Sequence, residues 1–121
     1  MAGESTSRSS ASFMAGVPEL AILQLLSQQE LYGYELVRQI RTVSRDALTL
    51  AEGVVYPTLH SLESRGLLKS RERVVEGRAR VYYRITRKGS KRLATMQGEW
   101  QRVSHGINSI LGGAHEPATA V

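Results

Sequence analysis

Residues 53–86, GVVYPTLHSLESRGLLKSRERVVEGRARVYYRIT, contain the change of period that decides the fold. Up to Gly66 the apolar side chains recur at helical spacing. Val55, Leu59 and Leu62 share one face, and Gly66 is a natural C-terminal stop, so a helix is expected over residues 53–66. Pro57 falls within the first turn or so, where proline is tolerated. Beyond Gly66 the period becomes two. Leu67 to Val75, the pair Glu76-Gly77, and Arg78 to Thr86 read as a β-hairpin, with Gly77 supplying the positive φ of the turn. In the second strand Val81, Tyr83 and Ile85 point one way and Arg80, Tyr82 and Arg84 the other. One face packs and the other carries charge, so of the neighbouring rings Tyr82 and Tyr83 one is expected packed and one exposed.

Upstream, two more helices are expected. Pro18 and Glu19 suit a helix start, and Leu20, Ala21, Ile22, Leu23, Leu25 and Leu26 follow with little polar interruption. A helix that is apolar nearly all round is a buried one, and in so small a chain a second subunit is expected to cover one side of it. After Gly33, Leu36, Val37, Ile40 and Val43 form the stripe of a second helix. Downstream, Thr86 is a good N-cap for a last helix. There Leu93, Met96, Trp100, Val103, Ile107 and Ile110 repeat at alternating steps of three and four, an a/d seam. Gly98 and Gly106 each weaken that helix by about 1 kcal/mol, so it needs packing to persist. The simplest source is self-association through the seam, together with Leu23 and Leu26 of the first helix.

These elements predict a mainly α chain with a small β-hairpin: a winged helix-turn-helix followed by a C-terminal dimerisation helix. The expected divisions are a flexible tail over residues 1–12, the winged helix-turn-helix over 13–87, the dimerisation helix over 88–111 and a second tail over 112–121. A length of 121 residues leaves room for one domain. The absence of cysteine excludes disulfide scaffolds, Cys-ligated zinc, iron–sulfur clusters and thiol catalysis. No apolar run reaches the roughly 18 residues of a membrane span, and no signal peptide is read at the N-terminus, so the expected compartment is the cytoplasm. His60, His105 and His115 are far apart, without carboxylates placed beside them, so neither a metal site nor a cofactor is expected. No nucleophile–base pair, phosphate loop or dinucleotide fingerprint is present, and the chain is not read as an enzyme.

Charge is concentrated. Between residues 65 and 92 lie eleven basic side chains and two acidic ones, while the other 93 residues carry five basic and nine acidic. A basic block in an otherwise mildly acidic chain marks a polyanion-binding surface or a solvated basic face. The predicted fold favours the first. In a winged helix one helix enters the major groove of DNA and the wing touches the backbone or minor groove. Helical phase directs Gly53, Pro57, His60 and Ser64 away from the core stripe, with Tyr56 and Ser61 on the flanks. That face is small, polar and aromatic, suited to a double-stranded DNA operator and less to an apolar protein partner, the other use of such a module.

The run Glu52 to Leu68 resembles the third-helix signature of the PadR-like transcriptional regulators: a Gly before an aliphatic-Tyr-Pro, then Leu-x-x-Leu-Glu and a Gly-Leu-aliphatic exit. Gly77 to Thr86 with Lys88-Gly89 resembles the family's wing, and Leu31 to Leu36 (LYGYEL) resembles the start of its second helix. Ala51 departs from the pattern, since members often carry Ser or Thr there. The resemblance covers roughly residues 17–111 and implies a homodimeric DNA-binding repressor of the small subgroup with a single C-terminal helix. On this reading His60, Ser61 and Ser64 approach base edges and Tyr34, Tyr56 and Thr58 contact the backbone. Lys69, Arg71, Arg73, Arg78 and Arg80 of the wing meet phosphates. Some small members bind flat aromatic compounds between tryptophans of the last helices. Trp100, with Met96 beside it on the seam, occupies a matching position and either fills the dimer core or stacks on a planar aromatic effector.

Overall fold

The computed structural model describes residues 16–112. The expected tail over residues 1–12 lies outside these, as does all of the second except Gly112, and so does His115. The element order is α1 (residues 16–26), β1 (Leu31–Tyr32), α2 (Gly33–Val43), α3 (Glu52–Ser64), β2 (Leu68–Val75), β3 (Arg78–Ile85) and α4 (Arg87–Gly112). No helix among the described residues is long and apolar enough to cross a membrane.

The expected two-stranded hairpin is part of a three-stranded antiparallel sheet of order β1-β3-β2. Leu31 pairs with Tyr83 and Tyr32 with Tyr82, so the residues just before α2 close the sheet on its inner edge. This pairing joins segments about fifty residues apart, and no local period announces it. The hairpin turn is tighter than Gly77 alone requires: Glu76 and Gly77 both have positive φ, 52° and 77°, as a two-residue type I′ turn demands.

Chain punctuation follows the sequence closely. Gly66 has φ +79°. Its N–H donates to the Glu63 carbonyl and that of Leu67 to the Leu62 carbonyl, each at 2.9 Å, the bond pair of a Schellman stop. Lys88 Nζ adds a bond to the Arg65 carbonyl at 3.0 Å, placing a cation at the negative end of α3. Thr86 caps α4, its Oγ1 accepting from the Gly89 N–H at 3.0 Å and donating to the Gly66 carbonyl at 2.7 Å. Gly89 rests on the Leu67 carbonyl, where a Cβ would collide. One threonine and one glycine thus lock the start of α4 to the end of α3.

The core lies between the helices and the inner face of the sheet, with Ile22, Leu23, Leu36, Val55, Leu59, Leu62 and Leu68 fully buried. This corrects one expectation. Leu23 and Leu26, anticipated at a dimer interface, are 0% and 3% exposed inside their own domain, because that side of α1 faces the core. The seam of α4 also divides. Leu93 and Met96 pack on the domain, whereas Trp100, Val103, Ile107 and Ile110 are 44%, 46%, 49% and 77% exposed. The stripe on α2 ends early, Val43 being exposed.

Candidate nucleic-acid interface

Helix α3 turns Val55, Leu59 and Leu62 into the core, which leaves Gly53, Pro57, His60, Ser61 and Ser64 on the exposed side as its phase predicts. The hydroxyls there are locally engaged. Ser64 donates to the Ser61 carbonyl at 3.0 Å, and Thr58, half-buried, donates to the Val54 carbonyl at 2.7 Å. Such bonds fix the rotamers of short side chains without occupying their acceptor lone pairs. Ala51 is the N-cap of α3 and supplies no side-chain bond to the first turn.

Beside this face lies a hollow of about 400 Å³ lined by Tyr32, Gly33, Tyr34, Tyr56, His60, Arg80, Val81 and Tyr83. It brings together the start of α2, the exposed side of α3 and the wing. Gly33 makes it possible: a Cβ there would lie 2.6 Å from Cζ and 2.7 Å from the hydroxyl oxygen of Tyr56. Burial pushes the Tyr56 phenol pKa up, and the Glu52 carboxylate adds to the shift, so at neutral pH it is a neutral hydrogen-bonding group.

The register of the wing sets its charge. Lys69 stands opposite Arg84, Arg71 opposite Tyr82 and Arg73 opposite Arg80, so six residues share the sheet face turned away from α3. The other face carries Tyr83 and Ser70, whose Oγ donates to Glu63 of α3 at 2.5 Å. Tyr82 and Tyr83 are both buried, at 8% and 5%, correcting the expectation of one exposed ring. Tyr82 is covered from the outer side by the Tyr32 ring, edge-on at 5.3 Å, and by the Arg73 guanidinium at 4.4 Å. Arg80 lies over Tyr32, also at 4.4 Å. Glu30 accepts from Arg71 Nη2 at 2.9 Å and lies 3.6 Å from Arg73. Its carboxyl pKa is held below the usual value, chiefly by the Arg71 hydrogen bond and further by the charges of Arg71, Arg73 and Arg84. Lys69 and Arg78 are exposed on the same hairpin.

The structure therefore brings Tyr34, Tyr56, His60 and Arg80 to one hollow, while Arg71 and Arg73 lie on the outer face of the sheet and Arg78 near its tip. Sequence reading missed Glu30 and Tyr32. The run LYGYEL marks Tyr32 as notable, but only the β1–β3 pairing reveals that its ring carries Arg80.

Among the described residues no group of three or more His, Asp or Glu side chains is placed to hold a metal ion. Away from the wing, Trp100 separates two shallow apolar grooves between α1 and α4. One, of about 310 Å³, is lined by Gly16, Val17, Leu20, Met96, Glu99 and Val103 besides Trp100. The other, of about 360 Å³, includes Ala21, Gln24, Leu48 and Gln97.

Three helices, a β-hairpin with a basic outer face and a long terminal helix define a winged helix-turn-helix protein. Residues 22–95 match the Transcriptional regulator PadR-like family, and the chain belongs to that family. It is 35% identical over 106 residues to a transcriptional regulator of Mycobacterium tuberculosis, an alignment spanning 88% of this chain and 94% of that one. The solved structure of a transcriptional regulator from Clostridium thermocellum superposes with a TM-score of 0.74 at 32% identity, covering 81% of this chain and 96% of the other. A PadR-like transcriptional regulator from Bacillus cereus gives 0.72 at 33% identity, covering 83% and 96%. The chain is accordingly a transcriptional regulator, not an enzyme.

Proposed function

We propose that this regulator is a homodimeric repressor that reads a roughly palindromic operator in the cytoplasm and is released by a planar aromatic effector. Residues 13–87 form the DNA-reading unit and residues 88–111 the dimerisation helix. The observation that carries the DNA reading is the joining of an exposed, polar α3 face to an aromatic hollow and an arginine-bearing wing. His60, Ser61 and Ser64 read base edges, Tyr34, Tyr56 and Thr58 position the backbone, and Lys69, Arg71, Arg73, Arg78 and Arg80 meet phosphates. Dimerisation is supported by the exposed second half of α4, where Trp100, Val103, Ile107 and Ile110 continue one seam. The groove at Trp100 and Met96 supports the effector, because apolar walls and an indole face suit a flat ring. To release DNA, the effector must favour a dimer geometry with the wrong half-site spacing, since equal affinity for both geometries shifts nothing.

The test begins with selection of bound sequences from a random duplex pool, followed by anisotropy titrations. If about three to four phosphates per subunit are neutralised, log affinity should fall with log salt at a slope of about −6 per dimer. A slope near zero, or equal affinity for every duplex, excludes operator reading. Trp100 is the only indole in the chain, so quenching of its fluorescence by planar dyes reports effector binding directly. If no dye in a broad panel quenches it, or if Trp100→Ala is released from the operator as readily as wild type, the effector site is elsewhere.

A further inference from the structure

Glu30 is an acid set among arginines. Its carboxylate lies against Arg71 and Arg73, on the strand face that also carries Lys69, Arg80 and Arg84. We propose that Glu30 is an internal stand-in for a DNA phosphate, which occupies Arg71 and Arg73 in the free protein and is displaced when a duplex binds. The inference rests on the DNA-binding reading above.

Three observations carry it. First, the arginines are accessible: the Arg71 and Arg73 side chains are 61% and 43% exposed, against 21% for Glu30. An ion pair this exposed is weak, so a phosphate backbone can exchange with it at little cost. Second, the Arg73 guanidinium sits over the Tyr82 ring and that of its cross-strand neighbour Arg80 over the Tyr32 ring, each 4.4 Å from the ring centroid. A guanidinium held against an aromatic ring is already positioned and loses less freedom on binding an anion. Third, the row is continuous with the candidate interface. Arg80 also lines the hollow shared by Tyr56 and His60, so a backbone leaving that hollow reaches Arg73 and then Arg71. The consequence is restraint: Glu30 lowers the attraction of the wing for any polyanion, leaving discrimination to α3.

Glu30→Gln removes the charge and keeps the shape. Anisotropy titration with the selected operator and a random duplex should show both bound about two- to tenfold more tightly, with a salt slope steeper by about one per subunit. Retention on heparin should rise in parallel. In an Arg71→Ala background the gain should shrink, while in Arg78→Ala it should persist, because Arg78 does not contact Glu30. Unchanged or weaker duplex binding by a Glu30→Gln protein with wild-type thermal unfolding makes the contact a strut of the fold and overturns the proposal. If that variant unfolds early, Glu30→Asp decides: one methylene shorter, the acid is pulled back from Arg71, so tighter duplex binding than wild type upholds the proposal and unchanged or weaker binding overturns it. Should wild type bind no duplex at all, the DNA-binding reading itself fails and this inference with it. Normal operator binding with no response to Glu30 removes this inference alone.

Discussion

His60 and Gly33 show how single positions act at the hollow. His60 is exposed on α3 and lines the hollow with Arg80. If it reads a base edge, His60→Ala relaxes preference at one base pair per half-site by roughly 1–3 kcal/mol, seen by repeating the selection with the variant. Arg78→Ala instead weakens all duplexes alike, as expected for a phosphate contact. A uniform loss from His60→Ala assigns that residue to the backbone. Gly33 acts through packing. A methyl group there overlaps the Tyr56 ring, which sits on the half-buried side of α3. Gly33→Ala should cost about 1–3 kcal/mol in urea unfolding. The second change Tyr56→Leu should recover part of the loss. If Gly33→Ala unfolds like wild type, the close approach does not constrain the site.

Among the elements, α3 is held well at one end and poorly at the other. Its C-terminus has the Gly66 stop and the Lys88 ammonium, and Arg65 makes a two-point bond to Glu19 of α1 at 3.0 and 3.3 Å. That contact holds the Arg65 guanidinium pKa above its ordinary value, chiefly through the hydrogen bond. The N-terminus begins at Ala51, which has no side-chain acceptor to offer. Ala51→Ser should therefore stabilise the protein by about 1 kcal/mol, read as a higher urea midpoint with an unchanged slope. No gain would mean that serine cannot reach the first turn from this backbone. The wing is ordered differently, by register. Once Val75 faces Arg78 across the turn, every basic side chain is assigned to a face, and the two tyrosines of β3 find cover on opposite sides.

For the whole molecule, the proposed dimer turns on which apolar surface the domain leaves uncovered. Fully burying an aliphatic side chain contributes about 1.5–3 kcal/mol, and Leu23 has already done so within its own domain. Leu23→Ala should lower stability by about 2–5 kcal/mol while the folded fraction sediments like wild type. Ile107 is half exposed on the second part of α4. Ile107→Glu should yield monomer by sedimentation with the winged domain still folded, because an unpaired charge buried at an interface costs several kcal/mol. A normal Ile107→Glu dimer would take this seam out of the assembly.

The sequence by itself determined the elements and their punctuation: the periods of α3 and of the hairpin, the Gly66 stop, the Thr86 cap and the basic block. These are local quantities, set by backbone preference and spacing within a few residues. It also determined which side of α3 is polar, since helical phase follows from Val55, Leu59 and Leu62 alone. Strand alternation alone leaves the Tyr82 ring uncovered, because its cover comes from Tyr32, Arg73 and the β1 edge. An all-round apolar helix does not reveal which neighbour covers which side, so spacing alone does not assign Leu23 and Leu26 to the core that buries them. Only the tertiary structure decided these points, together with the Glu30 contact and the division of the α4 seam after Met96. Each depends on which surfaces meet across long stretches of chain, and that is settled by packing a single core.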